Sequence, residues 1–260
     1  MIRMPELSEL LPIVANAGEA AMRMQKDIPH WIKDDGTPVS DADIATEKIL
    51  LEGLAQFGIP VIAEESRDAD LPVPGLVWLL DPIDGTKEFI AGNDDWSVML
   101  GLLKDGEPIL SVVAAPARGV MYAAARGKGV HAYEGGDVRT LLIAPAPDPI
   151  RFLVSKHHYS PLMHALTEKL HASETSMGSI GVKSAAIAES RGDLQLTDGP
   201  HFGWDACAPQ LLIEEAGGAV SDVYGEKLSY KHPALPFQNG FLAGGKEAHA
   251  RALTALQNLL

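Results

Sequence analysis

From Leu7 onward the apolar positions Leu10, Leu11, Val14, Ala17 and Ala21 return every three or four residues, the stripe of an amphipathic helix laid on a core. Lys33-Asp34-Asp35-Gly36-Thr37-Pro38 interrupts that pattern with turn formers. Ser40 or Asp41 then caps a second helix through Ile44, Leu51 and Leu54 to about Phe57, where Gly58 and Pro60 stop it. On this reading two helices precede any strand. Runs that suit strands follow at 61–63, 76–80, 97–103, 109–114 and 120–124, separated by Gly, Pro and Asp, which predicts a mostly antiparallel sheet covered by the two helices.

The stretch Ala144-Pro145-Ala146-Pro147-Asp148-Pro149 reads as the junction between two halves, about 1–147 and about 148–260, of one domain spanning 1–260. Beyond it, strand runs near 152–154 and 193–197 alternate with helical stretches near 161–172, 182–190, 205–216 and 248–259. That alternation predicts an α/β layer.

Of the 260 residues 46% are hydrophobic and 22% charged, which supports a large core and excludes a disordered chain, a collagen and a coiled coil. The 21 Lys and Arg against 35 Asp and Glu leave a formal charge of −14, which repels nucleic-acid backbones and anionic membranes. An anionic substrate must therefore be received by a local cation. Cys207, the sole cysteine, cannot form an internal disulfide and is expected to be a small buried residue. Glu6, Glu9, Glu19 and Arg23 break up the first 26 residues, so no signal-peptide core or membrane span is expected there. The expected location is cytoplasmic.

Candidate chemistry concentrates in Trp78-Leu79-Leu80-Asp81-Pro82-Ile83-Asp84-Gly85-Thr86, where a hydrophobic strand ends in a carboxylate and Pro82 turns a second one toward it. Hard oxygen donors without a neighbouring His or Cys suit Mg2+ better than Zn2+. Gly85 and Thr86 offer backbone N–H groups to a phosphate. Alone, Asp-x-x-Asp-Gly is common in calcium loops and ordinary turns. Ala63-Glu64-Glu65-Ser66 adds carboxylates after another short strand, and Asp205 and Asp43 fall in the first turns of helices, where capping is the simpler explanation.

In combination these segments resemble a family. Residues 33–43 (KDDGTPVSDAD), 63–66 (AEES), 81–90 (DPIDGTKEFI) and 204–209 (WDACAP) are similar, in order and spacing, to the inositol monophosphatase-like, Mg2+-dependent, lithium-sensitive phosphatases, over nearly the whole chain. Within that superfamily, Lys87-Glu88-Phe89-Ile90, Gly178-Ser179-Ile180-Gly181-Val182-Lys183 and Ala208-Pro209 look most like the 3'(2'),5'-bisphosphate nucleotidases of the CysQ type. The resemblance implies an α+β fold, the layered αβαβα sandwich of the inositol monophosphatases and sugar phosphatases. It implies two or three Mg2+ ions on Glu64, Asp81, Asp84, Asp205 and the Ile83 carbonyl. It implies, too, that Asp43 and Thr86 orient and deprotonate the attacking water, with Glu64 also catalytic, and that Li+ inhibits. Family members are often dimers, which makes a homodimer a candidate assembly.

The substrate residues implied are Asp84, Gly85, Thr86, Ser179, Lys183, Asp198 and Asp205. Ser179 and Lys183 are candidates to meet a phosphate or sugar hydroxyl, although a Lys opening a helix is more often a solvated surface charge. Lys156-His157 poses the same choice. No Arg lies between Gly192 and Gly203, where many nucleotidases carry one, and Asp198 stands where inositol monophosphatases place a hydroxyl-binding acid. The expected reaction is hydrolysis of the 3'-phosphate of adenosine 3',5'-bisphosphate, a by-product of sulfate assimilation, to AMP by direct attack of activated water. An inositol-1-phosphatase or histidinol-phosphatase is the alternative within the superfamily, and a non-catalytic phosphate-ligand binder the remote one. A haloacid dehalogenase would space its acids Asp-x-Asp, a cysteine phosphatase would need Arg at Ile213, and no P-loop is present.

Overall fold

The computed structural model describes residues 2–26, 28–34, 36–66 and 75–260. Helix α1 (Leu7–Met24) buries Leu10, Val14, Ala17 and Ala21, the expected stripe, and the Glu9 carboxylate folds back onto the Glu6 N–H at 3.0 Å to cap its start. The expectation that two helices precede any strand is wrong. Strands β1 (His30–Ile32) and β2 (Pro38–Ser40) form an antiparallel hairpin between the helices, closed by Lys33 N–H donating to the Thr37 carbonyl at 2.8 Å. With three residues each and every β1 side chain exposed, the hairpin has no hydrophobic period to read. Asp35, inside the predicted turn, lies outside the described residues. Helix α2 (Asp41–Leu54) starts at Ser40 and passes through a 3-10 turn to Phe57, where Gly58 closes it.

Then come β3 (Val61–Ala63), β4 (Leu76–Asp84), the short helix α3 (Thr86–Ile90), β5 (Ser97–Lys104), β6 (Glu107–Ala115), β7 (Val120–Ala125), β8 (Val130–Glu134) and β9 (Asp137–Leu141). They make a seven-stranded sheet in chain order, parallel only between β3 and β4. After them the chain runs through β10 (Arg151–Ser155), α4 (Pro161–Leu170), β11 (Ser173–Met177), α5 (Ile180–Ala188), β12 (Leu194–Thr197), α6 (Gly203–Glu215), β13 (Gly218–Ser221), β14 (Phe241–Gly245) and α7 (Lys246–Leu256). The second sheet has the order β11-β10-β12-β14-β13, with β11, β10 and β12 parallel and the last two antiparallel.

Helices α1 and α2 cover one face of the large sheet through Leu10, Leu50, Trp78, Leu80 and Leu100. Its other face, with Leu79, Met99 and Val113, packs on α5 and α6, which also lie against the small sheet. On the far side of the small sheet α4 and α7 close a third core with Met163, Leu166, Ala252 and Leu256. The layers therefore read αβαβα. No helix among the described residues is long and apolar enough to cross a membrane.

Candidate active site

Residues three apart in a strand ordinarily face opposite sides. The β4/β5 ladder, however, slips by one residue between the pairs Asp81–Met99 and Asp84–Ser97, and this bulge turns Asp84 toward the side that Asp81 faces. Both line one cavity of about 710 Å³, together with Glu64 after β3, Ile83, Gly85, Thr86, Lys183 of α5, Asp198 after β12 and Asp205 in the first turn of α6. Two predicted site residues stand behind this lining. Asp43 reaches it through Thr86, whose single Oγ1 proton has two acceptors in reach, Asp43 Oδ1 at 3.3 Å and the Ile83 carbonyl at 3.1 Å. Ser179, buried at the start of α5, donates to Asp84 Oδ2, which also accepts from Gly181 N–H at 2.8 Å. Gly85 has φ +94°, and a Cβ there would lie 2.8 Å from the Asp95 carbonyl oxygen, so only glycine makes the step from β4 into α3.

The carboxylates crowd one another. Burial first, then the charges of Glu64, Asp84, Asp205 and Asp43, push the Asp81 carboxyl well above the ordinary carboxylate range. Its Oδ1 is buried with no hydrogen-bond partner among the described residues. Burial likewise raises Asp43, against hydrogen bonds from Ser40, and raises Glu65 to about 7. Lys33 Nζ, from the hairpin turn, sits 2.9 Å from Glu64 and 3.0 Å from Glu65. Among the described residues no three His, Cys, Asp or Glu side chains are already drawn into a metal-ligand group. The carboxylates facing the cavity nevertheless offer hard oxygens, one of them orphaned among the described residues in a pool of like charge, which fits a divalent cation of the Mg2+ kind.

The expectation of a solvated Lys183 is corrected: the side chain is fully buried, and burial pushes its ammonium down to about 8 against the attraction of Asp84. Helix α5 lies between the two sheets and has no solvent face, and its sequence IGVKSAAIA has no polar side either. Lys156 and His157 remain exposed, as a surface pair would, yet both bind Glu88, Lys156 Nζ at 2.7 Å and His157 Nε2 at 2.5 Å. Cys207 is buried in α6, and burial drives its thiol up, so it is an inert packing residue. His158, Tyr159, Ser160 and His201 also line the cavity. They come from loops with no local motif, and only the fold brings them to the wall. Ser160 Oγ donates to Asp198, linking two of those loops.

Residues 7–260 match the inositol monophosphatase family. The chain belongs to that family. A Salmonella typhimurium protein named 3'(2'),5'-bisphosphate nucleotidase CysQ is 34% identical over 235 residues, covering 86% of this chain and 93% of its own. The extragenic suppressor protein suhB from Bartonella henselae superposes with TM-score 0.83 at 21% identity, covering 98% of this chain and 99% of its own. CysQ from Bacteroides thetaiotaomicron, a bacterial member of the inositol monophosphatase family, gives TM-score 0.78 at 23% identity over 92% and 96%. At such identity the two structures establish the inositol monophosphatase fold, αβαβα as observed here.

Proposed function

We propose that this chain is a Mg2+-dependent phosphomonoesterase that removes the 3'-phosphate of adenosine 3',5'-bisphosphate, leaving AMP and phosphate. The observation that carries the reading is a single cavity lined by both a crowd of carboxylates and the buried ammonium of Lys183. A monoester held at a cation-loaded acidic cluster needs no further positive charge, whereas a second phosphate does. Kinship at 34% identity to a protein named for this bisphosphate supports the choice.

Glu64, Asp81, Asp84 and Asp205 would hold the ions, with the Ile83 carbonyl. Bound Mg2+ supplies the positive charge that offsets the phosphoryl oxygens and favours attack by water. Thr86 has one hydroxyl proton and two acceptors in reach, Asp43 and Ile83. If the Ile83 carbonyl were to serve as a ligand, that proton would go to Asp43 Oδ1, which would leave Thr86 Oγ1 to accept from the attacking water. Asp43, raised by burial, is the better base for it. Lys183 receives the remaining phosphate, and Asp198, held by Ser160, faces the sugar hydroxyls.

Asp198 also favours a second reading, a polyol or amino-alcohol monophosphate such as inositol 1-phosphate or histidinol phosphate. Phosphate release from the bisphosphate and both monophosphates, with Mg2+ and with chelator, separates them. A preference in kcat/KM of tenfold or more for the bisphosphate, about 1.4 kcal/mol, is the expected result. A monophosphate preference would replace the first reading with the second.

A further inference from the structure

Glu88 lies two positions beyond Thr86 on α3 and takes no part in the chemistry above, yet its side chain is only 3% exposed. A buried carboxylate is unfavourable unless it is paired, and here donors reach it from two directions. Asn93 Nδ2, just after α3, donates at 2.8 Å. Lys156 Nζ and His157 Nε2, just after β10, approach at 2.7 and 2.5 Å. Lys156 also reaches Asp95 at 2.8 Å, and Arg118 holds Asp95 in turn. The Lys156 backbone N–H donates to Met177 at 3.2 Å, and beside it Gly178 packs so closely that a Cβ there would overlap Glu88 Cγ.

These bonds have a geometric consequence. The segment 155–160 forms one wall of the cavity and continues through Ser160 to Asp198. Thr86 sits on the same short helix as Glu88. We propose that Glu88 is a positioning residue for substrate recognition, fastening the 155–160 wall to the helix that carries Thr86 and so setting how far the wall stands from the hydrolytic centre. The inference rests on the phosphomonoesterase reading and adds to it the part of the substrate that Glu88 governs, the leaving group beyond the phosphate. It also assigns Lys156 and His157. The Lys156 charge is matched by Glu88 and Asp95, and His157 is taken up by Glu88, which leaves Lys183 as the buried cation that faces a ligand.

The test compares a substrate whose leaving group meets that wall with one whose leaving group carries neither a further phosphate nor a free hydroxyl. Glu88→Gln keeps the shape and removes the charge. KM and kcat are measured at fixed Mg2+ for adenosine 3',5'-bisphosphate and for p-nitrophenyl phosphate. The expected result is a rise in KM of about tenfold for the bisphosphate, with its kcat and both constants for p-nitrophenyl phosphate within about threefold of wild type. Lys156→Met removes a partner from the wall side and is expected to reproduce the selective rise should Glu88→Gln fail to fold. Equal losses on both substrates, or an unchanged or lower KM for the bisphosphate, overturn the inference. The wild-type rates report on the substrate reading separately. If inositol 1-phosphate proves the preferred ester, that reading falls while Glu88 is judged by the same criterion on inositol 1-phosphate against p-nitrophenyl phosphate.

Discussion

Thr86 Oγ1 stands 3.3 Å from Asp43 Oδ1, a hydrogen bond between the first turns of two helices 43 positions apart in the chain. Asp43 is aimed by its own cap: the Ser40 N–H and Oγ bond the other carboxylate oxygen, Oδ2, at 2.8 and 2.6 Å. Capping and the catalytic role proposed for Asp43 are therefore compatible. The cap fixes the orientation that presents Oδ1 to Thr86.

Asp43→Asn keeps an acceptor for Ser40 and removes the base. It is expected to lower kcat by about 100-fold or more while KM and the Mg2+ concentration for half-maximal rate change little. Steady-state kinetics across a Mg2+ series reads both quantities. A parallel fall in Mg2+ affinity would make Asp43 a ligand instead.

Asp81→Asn is expected to abolish turnover yet raise the melting temperature of the metal-free protein, because the neutral side chain ends the crowding with Glu64, Asp84 and Asp205. The sign with pH follows from a carboxyl raised in the folded state. Its contribution is intact below the unfolded value of about 3.9 and is lost as pH rises through the higher folded one, so the variant's advantage grows with pH. Saturating Mg2+ reverses the order by stabilising the wild type, by about 2.7 kcal/mol at one hundred times Kd. Melting curves with Mg2+ and with chelator check both halves. A variant less stable than wild type in chelator would refute the crowding.

Burial pushes Lys183 down to about 8, so the cation proposed for a second phosphate would be lost as pH rises through that value. For the bisphosphate, kcat/KM is expected to fall above it, a fall absent with p-nitrophenyl phosphate and abolished by Lys183→Met. Stability moves the other way. A lysine lowered from 10.5 to about 8 holds its proton less tightly folded than unfolded, so the free protein gains stability between those values. A pH-independent kcat/KM for the bisphosphate in this range would remove Lys183 from substrate binding.

Gly85→Ala forces a Cβ onto a residue with φ +94° and toward the Asp95 carbonyl. The strain of the left-handed backbone alone is expected to cost about 1–2 kcal/mol. Urea unfolding should show a lower midpoint with an unchanged m-value. Activity should fall further than stability, since Thr86 is the next residue. Wild-type kcat would mean that the turn tolerates displacement.

Much of the architecture is local and was legible. The stripe of α1 repeats at the helical period, Ser40 caps α2, and β3 to β7 are apolar runs bounded by Gly, Pro and Asp, all of them properties of neighbouring residues. Strands β1, β2, β8, β9, β11, β13 and β14 go unpredicted; β8 does alternate, burying Val130 and Ala132, while the edge strands have no period to read. In β9 and β11 four of five residues are exposed at a sheet edge, and β14, Phe-Leu-Ala-Gly-Gly, ends in glycines that a strand ordinarily avoids. The family, too, was legible, because four ordered segments of the chain carry its motifs.

The sequence by itself determined the main helices, the strand runs of β3 to β7, β10 and β12, the acidic segments after β3 and β4, and the family, since all of these are written in adjacent residues. Only the tertiary structure decided that Lys183 is buried between two sheets, that a one-residue slip puts Asp81 and Asp84 on one side, and that Glu88 meets Lys156 from 68 positions away. Burial, register and pairing depend on residues far apart in the chain, and no local period records which of them the packing will bring together.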